Sequence, residues 1–237
     1  MYNYLMVTKQ DLEKYSATTS IERITAFITS NNDSEDEIIN RYNKNIKISQ
    51  ALYPELSVLE ITLRNAIDTT FRTYFGKSWI ENELNTNLLL DSYDYNTLLK
   101  AYNDIKTECK NKGKTFSRGK VIANLNFGFW TNLCLKKYNA KIWTKKGIFK
   151  SVFINYPKNK QQQIHAISNL LNSIRKLRNR VFHYEIILKD PNDLMKKYNE
   201  ILEMISYLPQ NNSKILQETS TFLSTFNKIT TSNNAKT

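Results

Sequence analysis

Breakers of helix are scarce in this chain, and that scarcity limits its fold more than any other feature. Only five glycines and four prolines are spread over 237 residues. The apolar residues recur at intervals of three and four, the period of one helical face, and not at the interval of two that strands require. An all-α fold is therefore expected. The chain is long enough to bury roughly 70% of its unfolded surface without staples. Cys109 and Cys134 lie far apart, outside any CxxC or Cys/His cluster, so neither a structural zinc site nor a disulfide framework is expected. No uninterrupted apolar run reaches membrane-spanning length, and the amino terminus lacks a basic start followed by an apolar stretch. A soluble protein of a reducing cytoplasm, with no membrane partner, is the expectation.

Local signals divide the chain into helices. Thr19 with Glu22 and Ser34 with Glu37 have the spacing of reciprocal capping boxes, predicting helices over about 20–32 and 35–51. Pro54 fits the first turn of a long helix ending near Phe75, followed by a break at Gly76 to Trp79. Further helices are predicted over about 92–112, 118–138, 141–155 and 161–188. Asp190-Pro191 opens another, to about 207, and a last amphipathic helix carries Ile215, Thr219, Phe222, Phe226 and Ile229. Thr230 to Thr237 reads as a polar, frayed tail. No repeat or long linker is visible, so 1–229 is expected to form a single domain.

The net charge of +12 is regional. Between Lys106 and Lys160 there are fourteen Lys or Arg against one acid, Glu108, which leaves the rest of the chain close to neutral. Such a segment, an elaboration of the domain, points to a polyanion, nucleic acid above all. Its interleaved aromatics, among them Phe116, Phe127, Phe129, Trp130 and Trp143, could stack on bases or form helix core. Lys112, Lys114, Arg118, Lys120, Lys145 and Lys146 are its candidate phosphate contacts.

One hexapeptide, Arg178-Asn179-Arg180-Val181-Phe182-His183, carries the chemistry. Cleavage of RNA by its own 2′-hydroxyl needs a group that exchanges a proton near neutral pH and a cation for the charge that grows on phosphorus. Histidine and arginine meet those needs. At about 100° per residue, Ile167, Leu170, Ile174, Leu177, Val181 and Tyr184 form one buried stripe. Asn179 and His183 project roughly opposite it, with Arg175 beside them and Arg178 between the faces. Arg175 and Arg180 are further candidates for RNA contact. Phe182 also points away from the stripe, which suggests a covered surface. Two proton-transfer groups are commonly used in such cleavage, and a two-fold dimer would bring a second imidazole to the same phosphate. His165 lies too far along the helix to serve.

The stretch from Ile174 to Glu185 resembles the hallmark of the HEPN superfamily, in which a polar residue, often asparagine, follows the arginine. Leu59 to Ile67 resembles the early-helix signature of its abortive-infection (Abi-like) branch, and Leu125 to Leu133 the Gly-aromatic element of that branch. The three occur in order within about 20–207. The resemblance implies a HEPN-type helical bundle with additional helices. It also implies a metal-independent endoribonuclease that leaves a 2′,3′-cyclic phosphate, and a dimeric toxin that halts growth of phage-infected cells. Arg178 and His183 match the catalytic pair and Asn179 the polar third position, whereas Val181-Phe182 is bulkier than the small residues expected before the histidine. Glu60, Arg64 and Asn65 could orient Arg178 or His183, form a plain ion pair, or pin neighbouring helices; Gly128 would permit close helix approach. No cofactor or metal is called for, and relatives are often silenced by an antitoxin or a small structured RNA. Two alternatives stand beside this reading: an RNA-binding helical module without chemistry, as some superfamily members are, and a toxin subunit that acts on a protein.

Overall fold

A computed structural model describes residues 12–15, 19–161, 163–209 and 213–234. Among them there is no strand, and the protein is all-α. The chain divides into two compact units. The first takes the described residues of Met1–Pro54, Lys176–Tyr198 and Glu218–Thr237, the second those of Glu55–Arg175 and Asn199–Gln217. The basic stretch 106–160 falls wholly within the second.

In the first unit, helix α1 (Ile21–Thr25) and helix α2 (Glu35–Ala51) share a core of Leu12, Ile24, Phe27 and Ile38. The expected box at Ser34 is present in both directions. The Ser34 hydroxyl accepts from the Glu37 backbone, and the Glu37 carboxylate accepts from the Ser34 backbone at 2.9 Å. The helix predicted over 20–32 is cut to five residues. Its cap is Ser20, with no side-chain bond, so Thr19 and Glu22 do not form the second box. The cut has a cause in Asp33, whose buried carboxylate takes the N–H groups of Thr29 at 2.6 Å and Ser30 at 2.9 Å. Those donors are therefore lost to a continuing helix. Burial pushes the Asp33 carboxyl up, but these two N–H groups and the Arg41 guanidinium, 2.5 Å away, more than offset it and hold it below its ordinary range.

The last predicted helix is two. Helix α11 (Ser213–Thr219) stops before Ser220-Thr221, and helix α12 (Phe222–Asn234) restarts with Phe222 stacked on Tyr198 at 4.1 Å. Helix α12 also runs through Thr230 to Asn234, where a frayed tail was expected; 235–237 lie outside the described residues.

The second unit begins with most of α3 (Tyr53–Tyr74), which buries Leu56, Leu59, Leu63, Ile67 and Phe71. Helix α4 (Trp79–Thr86), not anticipated from sequence, is held by Trp79, whose indole N–H donates to Asp68 at 2.8 Å. Helix α5 (Ser92–Asn111) is capped by the Asp91 carboxylate on the Asp94 N–H at 2.9 Å.

The helix predicted over 118–138 is broken into α6 (Arg118–Asn124) and α7 (Phe127–Asn132). Leu125 is extended, and the Asn126 side chain caps the N–H of Phe129 at 3.0 Å. A Cβ on Gly128 would lie 3.0 Å from that capping oxygen, so the glycine makes room for a cap and not, as expected, for a neighbouring helix. The segment 141–155 is likewise interrupted. A π turn over Asn139–Trp143 gives way to α8 (Ile148–Val152) at Gly147, whose φ of 93° and close approach to the Tyr74 hydroxyl both exclude a side chain.

A buried polar hub anchors this unit. Asp94, with no exposed surface, accepts from the Tyr138 hydroxyl at 2.6 Å, the Lys137 ammonium at 2.7 Å and the Asn132 carboxamide at 3.0 Å. Burial and the two neighbouring aspartates push the Tyr138 hydroxyl far above its ordinary value, even though it also accepts the Asp91 N–H. Helices α9 (Ile164–Phe182) and α10 (Pro191–Tyr207) complete the architecture.

Candidate functional site: the end of the motif helix

Helix α9 buries Ile167, Leu171, Ile174, Leu177 and Val181. Leu170 is only half-buried, and Tyr184, expected in the same stripe, is 62% exposed. The helix ends at Phe182, six residues short of the predicted end. The Tyr184 N–H returns to the carbonyl of Val181 at 3.2 Å and the Glu185 N–H to that of Arg180 at 2.9 Å. Tyr184 itself has a φ of 58°. This is the paired closure of a Schellman motif, with a tyrosine in the left-handed position that glycine usually fills. His183 is the residue of the cap, its own N–H still bonded to the Asn179 carbonyl at 2.8 Å.

What holds the chain after the helix is one carboxamide. Asn45 of α2, buried to 3% exposure, donates to the Glu185 carbonyl at 3.1 Å and accepts from the N–H groups of Ile187 at 2.8 Å and Leu188 at 3.4 Å. It binds the segment as a neighbouring strand would, with donor and acceptor side by side. Arg180 reinforces this, since its guanidinium donates to the Ile186 carbonyl and lies 3.7 Å from the Glu185 carboxylate. Arg180, a candidate RNA contact, thus fastens the turn.

Around this turn the motif side chains are displayed. Asn179 and His183 are exposed, as the face analysis predicted, and Phe182 is 41% exposed. Arg178 is half-buried, with its guanidinium carbon 4.4 Å over the Phe182 ring. The bulky residue before the histidine therefore supports the arginine. A flat ring under a guanidinium fixes its plane.

Beside them opens a groove of about 480 Å³ between α2 and the end of α9, lined chiefly by Tyr42, Ile46, Ser49, Tyr53, Phe182 and Tyr184. Tyr53 is 57% exposed, and its ring centroid is 6.2 Å from that of Phe182. Sequence reasoning missed both the groove and Asn45. A signal existed: Asn45 occupies the buried stripe of α2 between Ile38 and Ile48, where a polar residue must find a partner.

The other predicted residues belong to the second unit. The Arg175 guanidinium donates to the Asn132 carboxamide at 2.9 Å, which ties it to the Asp94 hub. Glu60 is half-buried and Asn65 exposed; Arg64 is half-buried, its buried Nε without a hydrogen-bond partner among the described residues. Lys112 pairs with Glu108 at 2.7 Å. Arg118 donates to the Lys77 carbonyl and faces Asp68 at 3.6 Å, and Lys120 donates to the Thr115 carbonyl at 2.9 Å. Lys145 sits 4.6 Å over the Phe75 ring, and Lys114 and Lys146 are exposed.

Among the described residues, no three His, Cys, Asp or Glu side chains gather where they could hold a metal ion, and no helix is long and apolar enough to cross a membrane. Fold and site together define an all-helical protein that presents a histidine at a helix terminus, one turn from a ring-supported arginine. Comparison with known protein families, with functionally described proteins and with solved structures gives no match.

Proposed function

We propose that the chain is a metal-independent endoribonuclease of the Abi-like HEPN kind, acting in the cytoplasm as a toxin in anti-phage defence. The observation that carries this reading is the exposed imidazole of His183 at the end of α9, together with the half-buried Arg178 held over Phe182. His183 takes the proton of a ribose 2′-hydroxyl as that oxygen attacks phosphorus. The bond to the 5′-oxygen then breaks, leaving a 2′,3′-cyclic phosphate on one fragment, and the departing 5′-oxygen receives a proton. Arg178 grips the non-bridging oxygens and stabilises the negative charge that builds there. Asn179, on the same exposed face as His183, orients the substrate or the ring. Lys114 and Lys146, exposed in the second unit, supply phosphate-binding charge.

A homodimer supplies the second proton-transfer group, through His183 of a second copy, and exposed Phe182 and Tyr184 suit a covered surface. An antitoxin or a small structured RNA would keep such an enzyme silent. His183→Ala should lower cleavage of RNA in chelator by about 10²–10⁴-fold with helicity unchanged, read by mapping ends that carry cyclic phosphate. Undiminished cleavage would defeat the assignment. A binding module without chemistry is favoured by the concentration of lysines in the second unit. It would give steeply salt-dependent RNA binding and no product at any protein concentration.

A further inference from the structure

In the second unit, cations from separate parts of the chain gather where α3 ends. Arg72 stands in the last turn of that helix and Lys77 in the break that follows. The segment 145–151 packs against this end. The Lys145 ammonium lies 4.6 Å over the Phe75 ring, the Tyr74 hydroxyl is 3.4 Å from that of Ser151, and Gly147 lets the same tyrosine close in. Lys146 and Lys150 flank those contacts, and all five cations are exposed. Among the described residues none of the five is bonded to a carboxylate, whereas Lys112 has Glu108 and Lys137 has Asp91 and Asp94. Of the nearby acids, Asp68 accepts from the Trp79 indole at 2.8 Å and faces Arg118 at 3.6 Å, and Glu83 is spent on the N–H groups of Leu89 and Leu90. Glu81, in the first turn of α4, is half-buried. The partial negative charge of a helix end favours a cation in its last turn, which suits Arg72. Three lysines on the neighbouring segment add repulsion that a bound polyanion would relieve.

We propose that this surface, in the unit that does not carry His183, binds the sugar-phosphate backbone of a single RNA strand. Arg72, Lys77, Lys145, Lys146 and Lys150 neutralise its phosphates, and the Tyr74 ring, 39% exposed among them, offers a face to one base. A lipid surface is the other common polyanion, and it would ask for apolar side chains to enter the bilayer. The apolar side of α8, made of Ile148, Phe149 and Val152, is already buried, which leaves Ile154 as the exposed apolar residue of that segment. The inference rests on the reading of the protein as RNA-directed, and it adds to that reading a contact surface that reads no sequence.

The test is anisotropy of a fluorescent 2′-O-methyl oligoribonucleotide, which resists cleavage because the attacking hydroxyl is blocked, titrated with the full chain over a salt series. Lys77→Gln/Lys146→Gln/Lys150→Gln should weaken binding by roughly tenfold or more at physiological salt. It should also lower the slope of log affinity against log salt by about two, since each phosphate contact on a single strand contributes about 0.7. Lys106→Gln/Lys110→Gln/Lys158→Gln removes the same charge from exposed positions elsewhere in the unit and should change neither quantity appreciably. Lys146→Gln alone, with a slope lower by about 0.7, decides the matter if the first triple variant does not fold. Equal losses in the two triple variants would reduce the effect to net charge and overturn the inference, as would a wild type that binds no RNA. Phosphatidylserine vesicles that hold the wild type and release the first variant, with RNA affinity equal in both, would give the surface to a membrane instead. An unchanged salt slope in the first variant while His183→Ala loses cleavage defeats the surface alone. A lowered slope with His183→Ala still cutting defeats the cleavage reading alone.

Discussion

Around Asp94, in the second unit, polar groups face inward and are paired. A carboxylate with no exposed surface gathers a hydroxyl, an ammonium and a carboxamide, and Asn132 passes the connection to Arg175. At the end of α9, in the first unit, the backbone is what is paired, through Asn45, and the side chains of Asn179, Phe182, His183 and Tyr184 are left to solvent. Asparagine and tyrosine occur in both regions. The regions differ in whether the polar atoms are consumed by the protein, and a saturated network such as that of Asp94 has no capacity left for a substrate. The displayed end of α9 has that capacity, which is why function is assigned there.

The contrast can be broken most forcefully at Asp94. Asp94→Ala takes the acceptor from the buried Tyr138 hydroxyl and from the Asn132 carboxamide, while Lys137, partly exposed, keeps Asp91 at 2.5 Å; the variant should cost about 2–4 kcal/mol in chemical denaturation. A loss below about 1 kcal/mol would show that the hub is not a stability element. Asn45→Ala comes next, at about 2–3 kcal/mol, since it removes three bonds to one segment. Its distinguishing readout is hydrogen exchange, which should accelerate at Ile187 and Leu188 ahead of the rest of the unit. Uniform exchange would mean that the turn after α9 is held by something else.

The smallest effect has the opposite sign. Tyr184→Gly relieves a left-handed tyrosine, worth about 1–2 kcal/mol, and gives up an exposed contact with Arg23 worth about 0.5–1 kcal/mol. The net should be a gain of a few tenths to about 1 kcal/mol in stability. Because Tyr184 is exposed beside His183, on the surface proposed to meet RNA, the same variant should bind RNA more weakly. Stability up and binding down would separate what the residue does for the fold from what it does for a ligand. Reduced stability would instead show that the tyrosine is part of the packing.

Much of the fold was legible in the chain, and the misses share one cause. The Ser34–Glu37 box, the long helix opened by Pro54 and the exposed face of α9 at Asn179 and His183 all depend on residues within a turn or two of each other. The breaks at Leu125, at Gly147 and after Phe182 did not follow from periodicity, because apolar spacing continues straight through them. At Asn126 a side-chain cap overrides the pattern. At Asp33 a carboxylate takes N–H groups that a continuing helix would have used. Arg175, Arg180 and Arg118 looked like spare cations for RNA, yet each donates to an oxygen of the protein. Charge in a sequence does not reveal which oxygen a guanidinium will meet.

By itself, then, the order of residues determined the helical class, most of the buried stripe of α9 and the outward aim of His183, since local hydrogen bonding and a period of 3.6 suffice for these. Tertiary structure alone decided where α9 stops and what opens beside it. The partner that ends it, Asn45, lies 140 residues away from Glu185 along the chain. A backbone released from its helix must find replacement donors and acceptors wherever the fold supplies them, and only folding brings that carboxamide within reach.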